Sequence, residues 1–171
     1  MDNQVLFKIG YGVYIICSKK GDRINGQTAN ALIQVTAEPK RIAMGLNKQN
    51  LTHEFIRESG VFTVCIVAQD APLKLIGGFG FKSGRDQDKF AGLNYQLAAN
   101  GCPYLTDNIV GYLEGKIIGE LDAGTHTVFL GEVTEGKVLQ DVAPMTYTYY
   151  HEVKRGTTPK TAPTYVEKSK Q

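Results

Sequence analysis

Short runs of apolar, β-branched and aromatic residues fill this chain, and most are closed off by glycine, proline or a polar turn. Tyr11-Gly-Val-Tyr-Ile-Ile-Cys-Ser18 comes first and stops at the turn-forming Lys20-Gly21-Asp22. Ala31–Thr36 ends before Glu38-Pro39, because proline has no N–H to offer a ladder. Arg41–Leu46 and Val61–Val67 follow, then Ile109–Ile118, Thr125–Val133 and Met145–Tyr150. A parallel sheet needs a helix-length crossover after each strand, which this spacing lacks. The pattern therefore predicts a mainly β chain, an antiparallel barrel or sandwich. Two short helices are predicted beside it. One spans Leu51–Ser59, capped by Asn50 or Thr52 and stopped by Gly60. The other starts at Asp70-Ala71-Pro72, runs through Leu73–Ile76 and stops at Gly77-Gly78.

With 171 residues, one domain is expected over 1–153 and a Lys/Thr/Pro-rich arm without periodicity over 154–171. That arm carries five basic residues against Glu167 alone, while the body has a slight acidic excess. A body of that charge argues against a general nucleic-acid binder. Its apolar anchors, Pro159, Pro163 and Tyr165, suggest an arm that crosses a partner subunit. No apolar run approaches the ~18 residues of a membrane helix. Met1-Asp2-Asn3-Gln4 does not read as the start of a secretory signal, so a cytoplasmic protein with no membrane contact is expected. Cys17, Cys65 and Cys102 are odd in number, widely spaced and form no C-x-x-C, which supports neither a disulfide scaffold nor a metal site.

Three segments carry candidate chemistry. Asn25-Gly-Gln-Thr-Ala-Asn30 is small and polar, and reads either as a hairpin connection or as backbone that approaches a flat ligand closely. In Leu46-Asn-Lys-Gln-Asn-Leu-Thr-His53 a strand runs into a helix N-terminus and supplies Lys48. Free helix amides and a lysine suit a phosphate, although the same residues would also serve as simple caps. Phe79–Phe90 adds Lys82, Arg85 and Lys89, which bind an anion or pair with Asp86 and Asp88. His53, His126 and His151 form neither a triad nor a metal spacing, so any chemistry is expected to belong to a bound cofactor.

These residues, in order, resemble the flavin-reductase-like family. The likeness runs through Tyr11-Gly-x-Tyr-Ile-Ile, Asn25-Gly-Gln-Thr-Ala-Asn30, Gln34-Val-Thr-Ala-Glu-Pro39 and Leu46-Asn-Lys-x-Asn-x-Thr-His53. It continues with Glu58-Ser-Gly-x-Phe62, Phe79-Gly-Phe-Lys82, Lys89-Phe90, Gly101-x-Pro103 and Gly124-Thr-His-Thr-Val-Phe-Leu-Gly-Glu132. It is strongest toward ferric reductases that move electrons from NAD(P)H through FMN. The flavoprotein half of high-molecular-weight rubredoxins is equally similar, including a tail like Gly156–Pro163.

The resemblance implies an FMN-binding split β-barrel, a Greek-key antiparallel barrel with a few short helices. It also implies a homodimer with the flavin near the subunit interface, and NADH or NADPH as substrate. Gln27, Thr28, Ala29, Asn30 and Ala31 would then lie along the isoalloxazine. Asn47, Lys48, Asn50 and Thr52 would hold the ribityl-phosphate, flanked by Leu46 and His53. Lys82, Arg85 and Lys89 are further phosphate candidates, and His126, the catalytic candidate, would face the flavin where nicotinamide stacks. Met44-Gly45 stands where some ferric reductases carry a cysteine, and no paired C-x-x-C follows the tail. A rubredoxin partner is therefore expected as a separate protein. The alternatives are an FMN-binding electron carrier without nicotinamide turnover, and a β-barrel module whose basic tail contacts nucleic acid.

Overall fold

The computed structural model describes residues 2–165, so positions 166–171 of the expected arm lie outside the described residues. A 3-10 turn over Asn3–Lys8 precedes β1 (Tyr14–Lys20), β2 (Arg23–Ala29), β3 (Leu32–Thr36) and β4 (Arg41–Asn47). Helix α1 (Leu51–Ser59) leads into β5 (Val61–Val67) and then α2 (Leu73–Gly80). Short β6 (Tyr95–Leu97) and β7 (Pro103–Leu105) come before long β8 (Ile109–Ala123) and β9 (His126–Val138), and α3 (Tyr147–Glu152) follows. Strands β6 and β7 form their own pair, and the other seven form one sheet in the order β2-β1-β5-β8-β9-β4-β3. Each ladder in it is antiparallel. Among the described residues no helix is long and apolar enough to cross a membrane.

That order forces the sheet to curl. β2 and β3 stand at its two ends, yet Asn30 and Ala31 alone join them. Laid flat, six strand spacings would separate the ends by about 29 Å. Three Cα steps reach at most about 11 Å. The ends must therefore meet, and the sheet becomes a split barrel: the chain closes it covalently where no ladder does.

Burial explains why several strands read as unbroken apolar runs. On β1, Ile16 faces a cluster with Met44, Leu46, Phe62, Val64 and Phe129. Its neighbours Ile15 and Cys17 face a second cluster with Cys65, Val67, Ile76, Phe79 and Met145. Strands covered on both faces have no reason to alternate.

Four features depart from the sequence expectations. Arg23–Ala29 is a full strand, paired with β1 from Tyr14↔Ala29 to Lys20↔Arg23, rather than a connection. α2 continues through Gly77-Gly78 and ends at Phe81, whose N–H bonds the Gly77 carbonyl at 2.9 Å. Burial of Leu75, Ile76 and Phe79 offsets the roughly 1 kcal/mol that each glycine costs a helix. Met145–Tyr150 is not a strand, because Thr146 caps a helix there by accepting the Tyr149 N–H. The pair β6–β7 carried no apolar run long enough to show.

Gly115 and Gly131 leave room for the Phe62 ring. A Cβ on either would stand 2.5 Å from Phe62 Cζ. Gly131→Ala is expected to destabilise the fold by about 1–3 kcal/mol through overpacking. Adding Phe62→Leu should recover part of that loss, so urea midpoints of the two variants and their double check the wedge by non-additivity.

Candidate functional site

The seam of the barrel opens into a cavity of about 630 Å³. β2 lines one wall through Asn25, Gln27, Thr28 and Ala29, and Asn30 continues it. Because β2 pairs only with β1, its outer backbone groups are not used by a ladder. Lys89 takes one of them, donating from Nζ to the Gly26 carbonyl at 2.9 Å. Gln27 adds a buried Oε1 that has no hydrogen-bond partner among the described residues. Such a group normally finds one. Facing it across the seam are Gly45 and Asn47 of β4. The Ala31 carbonyl accepts the Gly45 N–H at 2.8 Å and holds the seam together beside them.

The N-terminus of α1 forms the next wall, through Asn50, Leu51 and Thr52. Asn50 is extended and makes no side-chain cap, and its carbonyl accepts the His53 N–H at 3.1 Å, so the Leu51 and Thr52 amides remain for a ligand. Thr52 Oγ1 accepts from Asn25 Nδ2 at 2.8 Å in a buried bond that ties α1 to β2. Opposite lie Ile76 and Phe79 of α2 and the loop Phe81-Lys-Ser-Gly84.

Lys89 is the most constrained charge here. Its Nζ donates to the carbonyls of Gly26 (2.9 Å) and Phe79 (3.0 Å), and no carboxylate pairs with it among the described residues. Burial lowers its pKa from 10.5 to about 8. Two of its three N–H donors are used, which leaves one for an anion in the cavity.

His126 lies in register with Asn47 at the β4–β9 ladder and also lines the cavity. Its Nε2 donates to the Thr161 carbonyl at 3.1 Å, since a carbonyl only accepts. Nδ1 then accepts the Thr125 hydroxyl at 2.8 Å, which fixes the Nε2–H tautomer. Tyr147, Tyr150 and the segment Thr157–Pro163 complete the lining.

The structure thus brings Gln27, Thr28, Ala29, Asn30, Asn47, Asn50, Thr52, Lys82, Lys89 and His126 to one cavity. Five other candidates stand outside its lining. Lys48 turns away to Asp122, with Nζ 2.7 Å from Oδ1, and that bond holds the Asp122 carboxyl below its usual range. Arg85 reaches Glu54 Oε2 at 3.0 Å. His53 is buried with Nε2 2.8 Å from Thr127 Oγ1 and its ring against Phe129, and burial lowers its pKa. Leu46 belongs to the barrel core, and Ala31 supports Gly45 through its carbonyl. Residues beyond the candidates also line the cavity: Asn25 and Phe79–Phe81, which sit in the quoted motifs, and Tyr147 and Tyr150, hidden in a run that looked like a strand.

The sequence profile described as the flavin reductase like domain matches residues 6–158. The chain belongs to the flavin reductase like family. Within it, this member is 42% identical to the ferric-chelate reductase (NAD(P)H) of Archaeoglobus fulgidus, over 98% of this chain and 99% of that protein. It is 56% identical to a high molecular weight rubredoxin of Moorella thermoacetica, over 96% of this chain and 72% of that protein. Among solved structures, flavin reductase PheA2 superposes with a TM-score of 0.72 at 26% identity, covering 85% of this chain and 93% of that one. The flavin reductase HpaC complexed with NADP+ gives 0.73 at 23% identity, over 84% and 89%, and supports the split-barrel fold.

Lys89 gives a pH signature. Its folded pKa of about 8 lies below the ordinary 10.5, so the unfolded chain holds that proton more tightly. Lys89 therefore costs stability below pH 8, and the cost fades as pH rises toward 10.5. Buried Cys17 and Cys102, whose pKa values burial raises, act in the opposite sense at high pH. Comparison with Lys89→Met isolates the lysine. The parent should gain stability relative to this variant between pH 8 and 10.5, read from urea midpoints across the range.

Proposed function

We propose that this member of the family is an NAD(P)H-dependent flavin oxidoreductase of the flavin or ferric reductase type. It would hold FMN in the seam cavity and pass electrons from a nicotinamide to an acceptor. The observation that carries this reading is the donor and acceptor set of one cavity. The unpaired β2 edge, the partnerless Gln27 Oε1, the uncapped α1 N-terminus and the Lys89 ammonium all border the same space. A mononucleotide flavin needs that combination: acceptors and amides along a planar heterocycle, and amides with a cation for a phosphate. A volume of about 630 Å³ is of the size that such a ligand fills.

Gln27, Thr28, Ala29 and Asn30 would present side-chain and backbone groups to the polar edge of the ring. Asn50, Thr52, Lys82 and Lys89 would hold the ribityl-phosphate, with Asn47 beside them. FMN, when bound, supplies the hydride-accepting and electron-transferring chemistry. The protein's share is binding, orientation and exclusion of water. His126 would act by position, as a fixed N–H donor at the nicotinamide side of the cavity.

A homodimer is part of the proposal. Ile33 and Val35 are exposed on β3, an edge strand, where apolar residues call for a cover. The outward face of the 154–165 arm would then be available to the partner. The likeness to a high molecular weight rubredoxin favours a second reading, an FMN-binding electron carrier served by a separate rubredoxin.

Three measurements test these readings. The purified chain should bind FMN, and NADH or NADPH should bleach the bound flavin under anaerobic conditions. Flavin that binds but stays oxidised with both nucleotides would favour the carrier. Reoxidation by free flavin, a ferric chelate or rubredoxin then identifies the acceptor. Lys89→Met and Thr52→Ala should each weaken FMN binding about ten-fold or more, the scale of a lost charge-assisted or buried contact. Lys48→Ala, already paired with Asp122, should leave it within about two-fold.

A further inference from the structure

The family's domain match ends at residue 158, yet the chain runs on across the cavity as a strap over 157–165. Side chains of the barrel and α3 pin it by single hydrogen bonds. Asn30 Nδ2 donates to Thr164 Oγ1 at 3.0 Å, and the Tyr147 hydroxyl bonds both Thr158 (2.8 Å) and Thr164 (2.7 Å). Tyr150 donates to the Thr157 carbonyl at 2.9 Å and His126 to that of Thr161 at 3.1 Å. No strand pairing holds the strap, and its residues are half-buried or exposed. It can leave without opening the core.

The strap also has a hinge. Arg155 has φ 58°, a left-handed conformation that a side chain rarely adopts. Gly156 follows, and a Cβ there would collide with the Tyr150 ring. The strap thus departs at a defined point, and its closed position depends on a residue without a side chain.

The volume supplies the reason to open. About 630 Å³ is room for one ligand of nucleotide size. A mononucleotide flavin together with a nicotinamide dinucleotide exceeds it. The strands and α1 are bound into the sheet and the buried clusters, which leaves the strap and the loop 81–84 as the walls free to yield. Of these, the strap is the one pinned by His126.

We propose that the 157–165 strap is a lid on the nicotinamide side of the cavity, pinned through His126 and displaced when the dinucleotide binds. The proposal rests on the FMN and NAD(P)H reading above. Opening frees the His126 Nε2–H from the Thr161 carbonyl for an acceptor on the incoming nucleotide. The closed lid competes with that nucleotide, so apparent affinity falls by the fraction of open chains.

Hydrogen–deuterium exchange on the full, FMN-loaded chain tests this, with NAD+ and NADP+ as non-reducing probes. The Ala162 and Tyr165 amides, which bond the Pro159 and Ala162 carbonyls in the closed strap, should lose protection when the nucleotide is added, while β1 and β5 stay protected. Gly156→Ala, which obstructs closure, should lower the apparent Kd of the nucleotide about three- to ten-fold. FMN affinity, followed by flavin fluorescence, should change by less than about two-fold. The paired substitution Thr158→Val with Thr164→Val removes pins without touching the hinge, and should act in the same direction if Gly156→Ala fails to fold. Unchanged strap protection with nucleotide bound, or tighter binding in neither variant, would overturn the lid. Failure of the parent to bind FMN at all would instead overturn the reading beneath it, and the lid with it.

Discussion

Because β2 and β3 lie at opposite ends of the strand order, the two-residue link Asn30-Ala31 closes the sheet into a barrel. Most of the site follows from that closure. It sets the edge of β2 across the cavity from β4 and lets the Ala31 carbonyl meet the Gly45 N–H at 2.8 Å. Since the seam is closed by the chain and not by a ladder, β2 keeps a row of backbone groups facing the cavity. The short connection Lys48-Gln49-Asn50 then carries β4 directly into α1, so a helix N-terminus arrives at the seam. An edge that would be a liability on an open sheet becomes a surface for a polar, planar ligand.

Charge is then sorted by what each cation finds nearby. Lys48 meets Asp122 and Arg85 meets Glu54, whose carboxyl the Arg85 hydrogen bond holds below its usual range. Both pairs lie at the surface, and neither cation lines the cavity. Lys89 finds two carbonyls and the face of the Phe79 ring but no carboxylate among the described residues, and burial leaves its ammonium poorly solvated. An anion placed there gains more from Lys89 than from either exposed cation, because little solvent screens the contact.

The strands were legible where burial on one or both faces wrote an apolar run, as in Arg41–Leu46 and Val61–Val67. β2 was not, because Asn25 and Gln27 on one face and Thr28 on the other are polar residues that line the cavity rather than a core. The glycines of α2 looked like a stop because the packing that offsets them belongs to other elements: Thr28 Oγ1 bonds the Ile76 carbonyl at 2.8 Å. The C-terminal bound of α1 was legible through Gly60, whose left-handed φ and N–H bond to the Ile56 carbonyl are local. Asn50, by contrast, holds the N-cap position without the expected side-chain cap, and Thr52 lies inside the helix. Which lysine serves the site was not, because Asp122 is 74 residues from Lys48 and Gly26 is 63 from Lys89. Sequence lists the cations, and only the closed barrel pairs them.

The polar groups gathered at the seam also bear on stability. Among the described residues Gln27 Oε1 lacks a partner, the Leu51 and Thr52 amides of α1 lack a side-chain cap, and Lys89 is a poorly solvated cation. Each costs free energy that a better-satisfied core would not, of order 1–3 kcal/mol for a buried unpaired group. A ligand that meets all three binds the folded chain and not the unfolded one, so it returns that cost as affinity and raises the stability of the fold together. This explains why the groups sit on three different elements. β2, α1 and the loop before Phe90 converge only when the barrel is closed, so the ligand and the closure support one another. The strap that crosses the same cavity adds no such group of its own, and its bonds to His126, Asn30 and Tyr147 engage side chains that a second ligand can also engage.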